Sequence, residues 1–122
     1  MKQRLLIVED DEMVRTMAER TLMHLGFTVL TANDGVEAVE TFKKHPHEIH
    51  AVLCDLNMPR MNGWETLTAL RLISPGLPVV IASGYDESKV FAGDHLELPQ
   101  AFLHKPYLHS NLMESLTKAM DG

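Results

Sequence analysis

An α/β fold built on a parallel sheet is predicted by two features of this 122-residue chain. Short runs of consecutive apolar residues, Leu5-Leu6-Ile7-Val8, Ala51-Val52-Leu53-Cys54 and Val79-Val80-Ile81-Ala82, show none of the alternation of a strand with one wet face. They read as strands buried on both faces. Stripes of apolar residues at spacings of three and four follow them, so strands and helices alternate along the chain.

The first run stops at three consecutive acids, Glu9, Asp10 and Asp11, and reads as a central strand. Val14, Met17, Ala18, Thr21, Leu22 and Leu25 then form a helical stripe, with Asp11 as the helix cap and Gly26 as its close. Residues 28–32 are β-rich, and Asp34 caps a second helix with Glu37 three positions on, carrying Val36, Val39 and Phe42 inward. His45-Pro46 ends that helix.

The third unit, residues 51–63, reads A-V-L-C-D-L-N-M-P-R-M-N-G. Its strand places Asp55 at the carboxyl end, an awkward position for a charge, and after the loop helical spacing resumes at Trp64, Leu67, Leu70 and Ile73. Pro75-Gly76 breaks this helix, and Pro78 leads into the fourth strand. Between residues 83 and 100, Gly84, Gly93 and Pro99 interrupt any stripe, which leaves room for a short fourth helix near residues 86–91. Residues 101–104 form a fifth strand ended by Lys105-Pro106, and Leu112, Leu116, Ala119 and Met120 make the last amphipathic face, without a convincing cap near His109. Five parallel strands joined by right-handed crossovers point to a flavodoxin-like (βα)5 sandwich with strand order 2-1-3-4-5.

Composition bounds the function. There is no linker and no internal repeat, so residues 1–122 are expected to form one domain. Eleven basic residues against 17 acidic ones give a formal charge of −6, which argues against nucleic acid and for a protein or a cation as partner. A single cysteine, Cys54, excludes a disulfide framework and fits a reducing cytoplasm; lying in an apolar strand, it reads as inert core. Lys2 and Arg4 precede only four apolar residues, too few for a leader or a membrane span, so a cytoplasmic location without membrane contact is expected.

All strands of a parallel sheet end on one edge. The residues after the apolar runs, Glu9, Asp10, Asp55, Ser83 and Lys105, therefore become neighbours in the crevice where ligands of such sheets bind. If the three acids converged within about 4 Å, each pair would repel by about 4 kcal/mol at an effective dielectric of 20. Three pairs sum to about 12 kcal/mol, comparable to a small domain's whole stability of about 5–15 kcal/mol. Such a cluster needs a cation. Mg²⁺ takes oxygen ligands and commonly serves a phosphate, with Lys105 and Ser83 as additional donors to phosphoryl oxygens and Asp55 as the nucleophile.

The motifs D-x-N-M-P-x-M-N-G from Asp55, S-G at Ser83 and K-P at Lys105, at these separations, resemble the receiver domain of two-component response regulators over the whole chain. The resemblance implies that Asp55 accepts a phosphoryl group from a histidine kinase or histidine phosphotransfer protein. It implies that Asp10, Asp55 and the main-chain carbonyl of Asn57 ligate Mg²⁺, with Glu9 acting through water, and that Lys105 contacts the acyl phosphate beside a cis Lys105-Pro106 bond. Ser83 and Phe102 take the two switch positions, and output would pass through the face of the fourth helix, fifth strand and fifth helix. A phenyl ring has no hydroxyl to desolvate, so Phe102 predicts a less sharply two-state switch than Tyr would. Asn57 and Tyr85 stand where the family tunes water access to the acyl phosphate. The runs S-G-Y and F-L-H-K-P-Y resemble receivers fused to hybrid sensor histidine kinases, and no DNA-binding or catalytic output region is expected within these residues.

Three other readings compete. An aspartyl-phosphate phosphatase of the haloacid-dehalogenase type carries D-x-D on its first strand, whereas here the third strand holds Asp55-Leu56-Asn57. A flavin carrier of the same fold needs donors after the first strand, where Glu9-Asp10-Asp11 would repel the flavin phosphate. A phosphorylation-independent interaction module leaves the complete set of acids, Ser83 and Lys105 without a purpose. His45, His47 and His50 flank a proline in a loop and read as surface residues. Trp64 at the edge of the loop reads as packing or partner contact, and the methionines as helix-stripe residues.

Overall fold

A computed structural model describes residues 3–121; Lys2 and Gly122, which entered the expectations about a leader and the domain's extent, lie outside the described residues. The elements run β1 (Arg4–Val8), α1 (Glu12–His24), β2 (Thr28–Ala32), α2 (Gly35–Lys44), β3 (Ala51–Asp55), α3 (Gly63–Ile73), β4 (Val79–Ser83), α4 (Glu87–Val90), β5 (Ala101–His104) and α5 (His109–Asp121). All strand pairings are parallel and the sheet order is β2-β1-β3-β4-β5, as the alternating apolar runs predicted.

Each face of the sheet has its own core. Leu6, Val8, Val52, Cys54 and Ile81 point toward Phe42, Leu67 and Leu70 of α2 and α3. Leu5, Ile7, Leu53, Val80 and Leu103 point toward Leu22, Leu112 and Leu116 of α1 and α5. Alternate residues of one strand thus serve opposite layers, which is why the central strands carry no polar face.

Two caps follow the sequence. Asp11 accepts from the Val14 N–H at 3.1 Å and Asp34 from the Glu37 N–H at 2.9 Å. Asn62 and Glu65 form a reciprocal capping box at the start of α3. The last helix is entered differently: the Leu108 N–H donates to Asn111 Oδ1 at 3.0 Å. The fourth helix is a single turn, flanked by Asp86 and Phe91, so that the chain from there to residue 100 is irregular. Gly93, at φ 90°, adopts a left-handed conformation inside this stretch.

Three expected stripe positions are corrected. Met17 is 64% exposed and Leu25 44%, because Ala18 and Leu22 carry α1 onto the sheet while Met17 rims an open groove. Ile73 at the end of α3 is also exposed. Of the three loop histidines, His45 bonds Glu48, His50 accepts from the Arg4 N–H, and His47 is exposed.

Candidate functional site

The register brings the acids together. Val8 pairs with Cys54, so the next residues, Glu9 and Asp55, leave the sheet at the same level on adjacent strands. Carboxylate oxygens of Glu9, Asp10 and Asp55 all lie within 4.8 Å of one another, slightly wider than the separation assumed from sequence. Asp10 is exposed, whereas Glu9 and Asp55 are buried, at 4% and 6% exposure. The turn after β1 is held by Arg15, which donates to the Glu9 carbonyl at 3.0 Å, and by the Asp11 N–H, which donates to Glu9 Oε2 at 3.2 Å.

Lys105 arrives from the end of β5 because its N–H donates to the Ser83 carbonyl at 2.8 Å, continuing the strand ladder. Its Nζ stands 2.5 Å from Glu9 Oε1 and 2.8 Å from Asp55 Oδ1. Glu9, which the resemblance linked to the cation through water, is also tied directly to the lysine. Burial raises the carboxyl pKa of both Glu9 and Asp55, with the hydrogen bonds from Lys105 acting in opposition. For Lys105 burial works against the charge, but its bonds to Asp55 and Glu9 outweigh it and the pKa rises. The pocket therefore holds more negative charge than its one ammonium balances.

The donor set fits a hard divalent cation: three carboxylates, two buried and one facing solvent, with oxygen ligands only. Asn57, whose main-chain carbonyl is expected to ligate beside Asp10 and Asp55, lies exposed in the loop after β3. That loop is pinched at its far end by Gly63, whose N–H donates to the Leu56 carbonyl at 2.8 Å. A Cβ at Gly63 would come within 2.8 Å of the Asp55 carbonyl oxygen and the Leu56 Cα, so only glycine lets the chain return this close to the acid.

Ser83 is fully buried one strand over, and its hydroxyl accepts from the Tyr85 N–H at 3.1 Å. Phe102 is not part of the acid cluster; it packs on the core beneath α4, edge-on to Phe91 at 6.0 Å. Phe91 in turn meets Trp64 edge-on at 5.6 Å, and Trp64 stacks on His95 at 3.7 Å. Trp64 is therefore packed within the fold, in a chain of rings that begins at Phe102. Cys54 is buried against the Asp55 backbone and burial pushes its thiol pKa far up, so it is an inert core residue. The Lys105-Pro106 bond is cis.

Sequence reading missed three features. Tyr107 lines a narrow crevice with Glu9, Val14 and Asp55, and burial raises its phenol pKa. Beside it a largely apolar groove of about 660 Å³ runs between α1 and α5, lined by Met17, Thr21, Lys105, Leu108 and His109. Arg60 forms an ion pair with Asp34, joining the loop after β3 to the start of α2. The first two depend on how α1 and α5 pack, and the third on two loops, so no periodic signal announces them.

Comparison with known proteins agrees with this fold. The family model "Response regulator receiver domain" matches residues 5–117. The sensor kinase CckA of Brucella abortus is 32% identical over 116 residues, which cover 95% of this chain and 12% of that protein. Curated relatives of this kind are longer, the chain spanning 36% of their length or less. Among solved structures, a sensor protein from Polaromonas sp. JS666 superposes with a TM-score of 0.89 at 26% identity, covering 99% of this chain and 98% of that one. The chemotaxis protein CheY4 of Vibrio cholerae gives 0.87 at 27% identity, covering 98% and 99%. Among the described residues, no helix is long and apolar enough to cross a membrane.

Proposed function

Because the chain belongs to the response regulator receiver domain family of two-component signalling, we propose that it is a Mg²⁺-dependent phosphoacceptor with Asp55 as the residue modified. The observation that carries this reading is the convergence of Glu9, Asp10 and Asp55 on one sheet edge with Lys105 reaching into the same pocket. Asp10, Asp55 and the Asn57 carbonyl would hold the cation, Glu9 through water, and the bound ion would supply positive charge for the phosphoryl oxygens.

In the transfer step an Asp55 carboxylate oxygen attacks the phosphorus of a phosphohistidine. The P–O bond forms as the P–N bond breaks; the electron pair returns to the imidazole of the donor, leaving an acyl phosphate on Asp55. Lys105 neutralises charge on the transferred group and the Ser83 hydroxyl donates to it. Because Lys105 is held by Glu9 as well as Asp55, it keeps its place when Asp55 changes partner. The protein assists its own modification and the later hydrolysis, with no other catalytic activity ascribed to this domain.

The phosphoryl donor is a histidine kinase or a histidine phosphotransfer protein, in the cytoplasm, with neither nucleic acid nor membrane contacted by the domain. Similarity to one part of a sensor kinase supports a receiver carried by a hybrid kinase. Output passes through the face of α4, β5 and α5, where Ser83 and Phe102 act as the switch. Incubation with acetyl phosphate and Mg²⁺ followed by intact-mass measurement tests the reading: the wild type gains one phosphoryl group and Asp55→Ala gains none. Equal labelling of both, or none of the wild type, refutes it.

A further inference from the structure

The loop between β3 and α3 contains an unusual turn. The Met61 N–H donates to the Pro59 carbonyl at 2.7 Å, closing a three-residue turn centred on Arg60, whose φ is 65°. A turn of this size with positive φ at its centre is rare, and arginine bears the Cβ that disfavours it. Something outside the turn must hold it. The Arg60 side chain reaches Asp34, with Nε at 2.9 Å and Nη2 at 2.5 Å from Oδ2. The other oxygen of Asp34 is engaged by the Glu37 N–H at the start of α2. Asp34 is almost wholly buried, whereas the Arg60 side chain that reaches it is 60% exposed.

The same two segments also pack directly. A Cβ at Gly35 would come within 2.9 Å of the Met61 side chain, so α2 begins flush against the loop. One end of the loop is thus fixed by Gly63 against β3 and the middle by Arg60 against α2. Asn57 lies between β3 and that anchored turn.

We propose that Asp34 and Arg60 form a strap that positions the loop after β3, and with it the Asn57 carbonyl, for the cation of the site. The strap rests on the reading of the pocket as a cation site given above. It acts through geometry: Asp34 and Arg60 are positioning residues and touch neither the ion nor the phosphoryl group.

The test is Mg²⁺ affinity by calorimetry on the full chain, for wild type, Arg60→Ala, Asp34→Asn and the double variant. Asparagine is as good a cap as aspartate, so α2 keeps its start in Asp34→Asn. A lost strap weakens Mg²⁺ binding by about tenfold in each single variant, the scale seen when outer-shell partners of metal ligands are removed. The double variant is then no worse than either single one. A field effect alone predicts opposite signs, since Arg60→Ala removes a positive charge and tightens binding while Asp34→Asn removes a negative one and weakens it. Opposite signs, or unchanged affinity in both variants with a binding wild type, overturn the strap alone. A wild type that binds no Mg²⁺ overturns both the strap and the cation site.

Discussion

Neutralising Asp55 should make the metal-free protein more stable and the magnesium-loaded protein comparatively less so. Glu9 and Asp55 are buried with carboxylate oxygens within 4.8 Å, a repulsion of about 3.5 kcal/mol at an effective dielectric of 20. Lys105 at 2.8 Å attracts Asp55 by about 6 kcal/mol on the same scale. Asp55→Asn gives up both, but it also removes the cost of burying an ion, which is several kcal/mol. Burial and the like charges raise the Asp55 pKa despite Lys105, so the ionised form is a net liability to the fold. The lysine keeps Glu9 as its partner in the variant. The expected result in EDTA is a gain of about 1–2 kcal/mol, read from the urea midpoint at unchanged slope. In Mg²⁺ at about a hundred times its dissociation constant, the wild type gains about 2.7 kcal/mol by mass action, whereas the variant has lost a ligand, so the order reverses. A variant less stable than the wild type in EDTA, or curves that keep their order on adding Mg²⁺, would refute this electrostatic account.

The carboxyl pKa values of Glu9 and Asp55 lie above the ordinary 4.5 and 3.8, so at the proposed cation site protonation would oppose Mg²⁺. Mg²⁺ affinity therefore falls as pH drops toward those raised values, measurable by calorimetry at a series of pH values; with raised carboxyl pKa values the metal-free fold gains stability over the same interval. Arg71 is buried and donates to the Leu77 carbonyl at 2.9 Å, Glu97 at 2.8 Å and Gln100 at 2.6 Å, so it ties the irregular chain before β5 to α3. Arg71→Ala should cost about 2–4 kcal/mol in urea unfolding, since it removes the packing of a buried side chain and its three hydrogen bonds, and a loss under 0.5 kcal/mol would count against that role. The ring contacts from Phe102 through Phe91 to Trp64 couple the single tryptophan to the proposed switch position. Beryllofluoride with Mg²⁺ should change Trp64 fluorescence in the wild type and much less in Phe91→Ala. Nuclear magnetic resonance of Phe102 should show its inward and outward positions mixed in both states, and a ring wholly outward before and wholly inward after the mimic would rule out the softened switch.

The sequence by itself determined the order of strands and helices, because apolar runs and stripes of period 3.6 are local signals that each element carries alone. It also determined which residues reach the sheet's ligand edge, since parallel strands end together and Glu9, Asp10, Asp55, Ser83 and Lys105 each follow an apolar run. What only the tertiary structure decided lies in contacts between loops. Lys105 meets Glu9 across 96 positions, and Arg60 and Arg71 find Asp34 and Glu97 across 26 each. The exposure of Met17 and the tie between Arg71 and the irregular chain before β5 are of the same kind. Loop conformations have no period, and a long charged side chain can reach many partners, so these pairings are settled only when the packed sheet fixes where each loop ends.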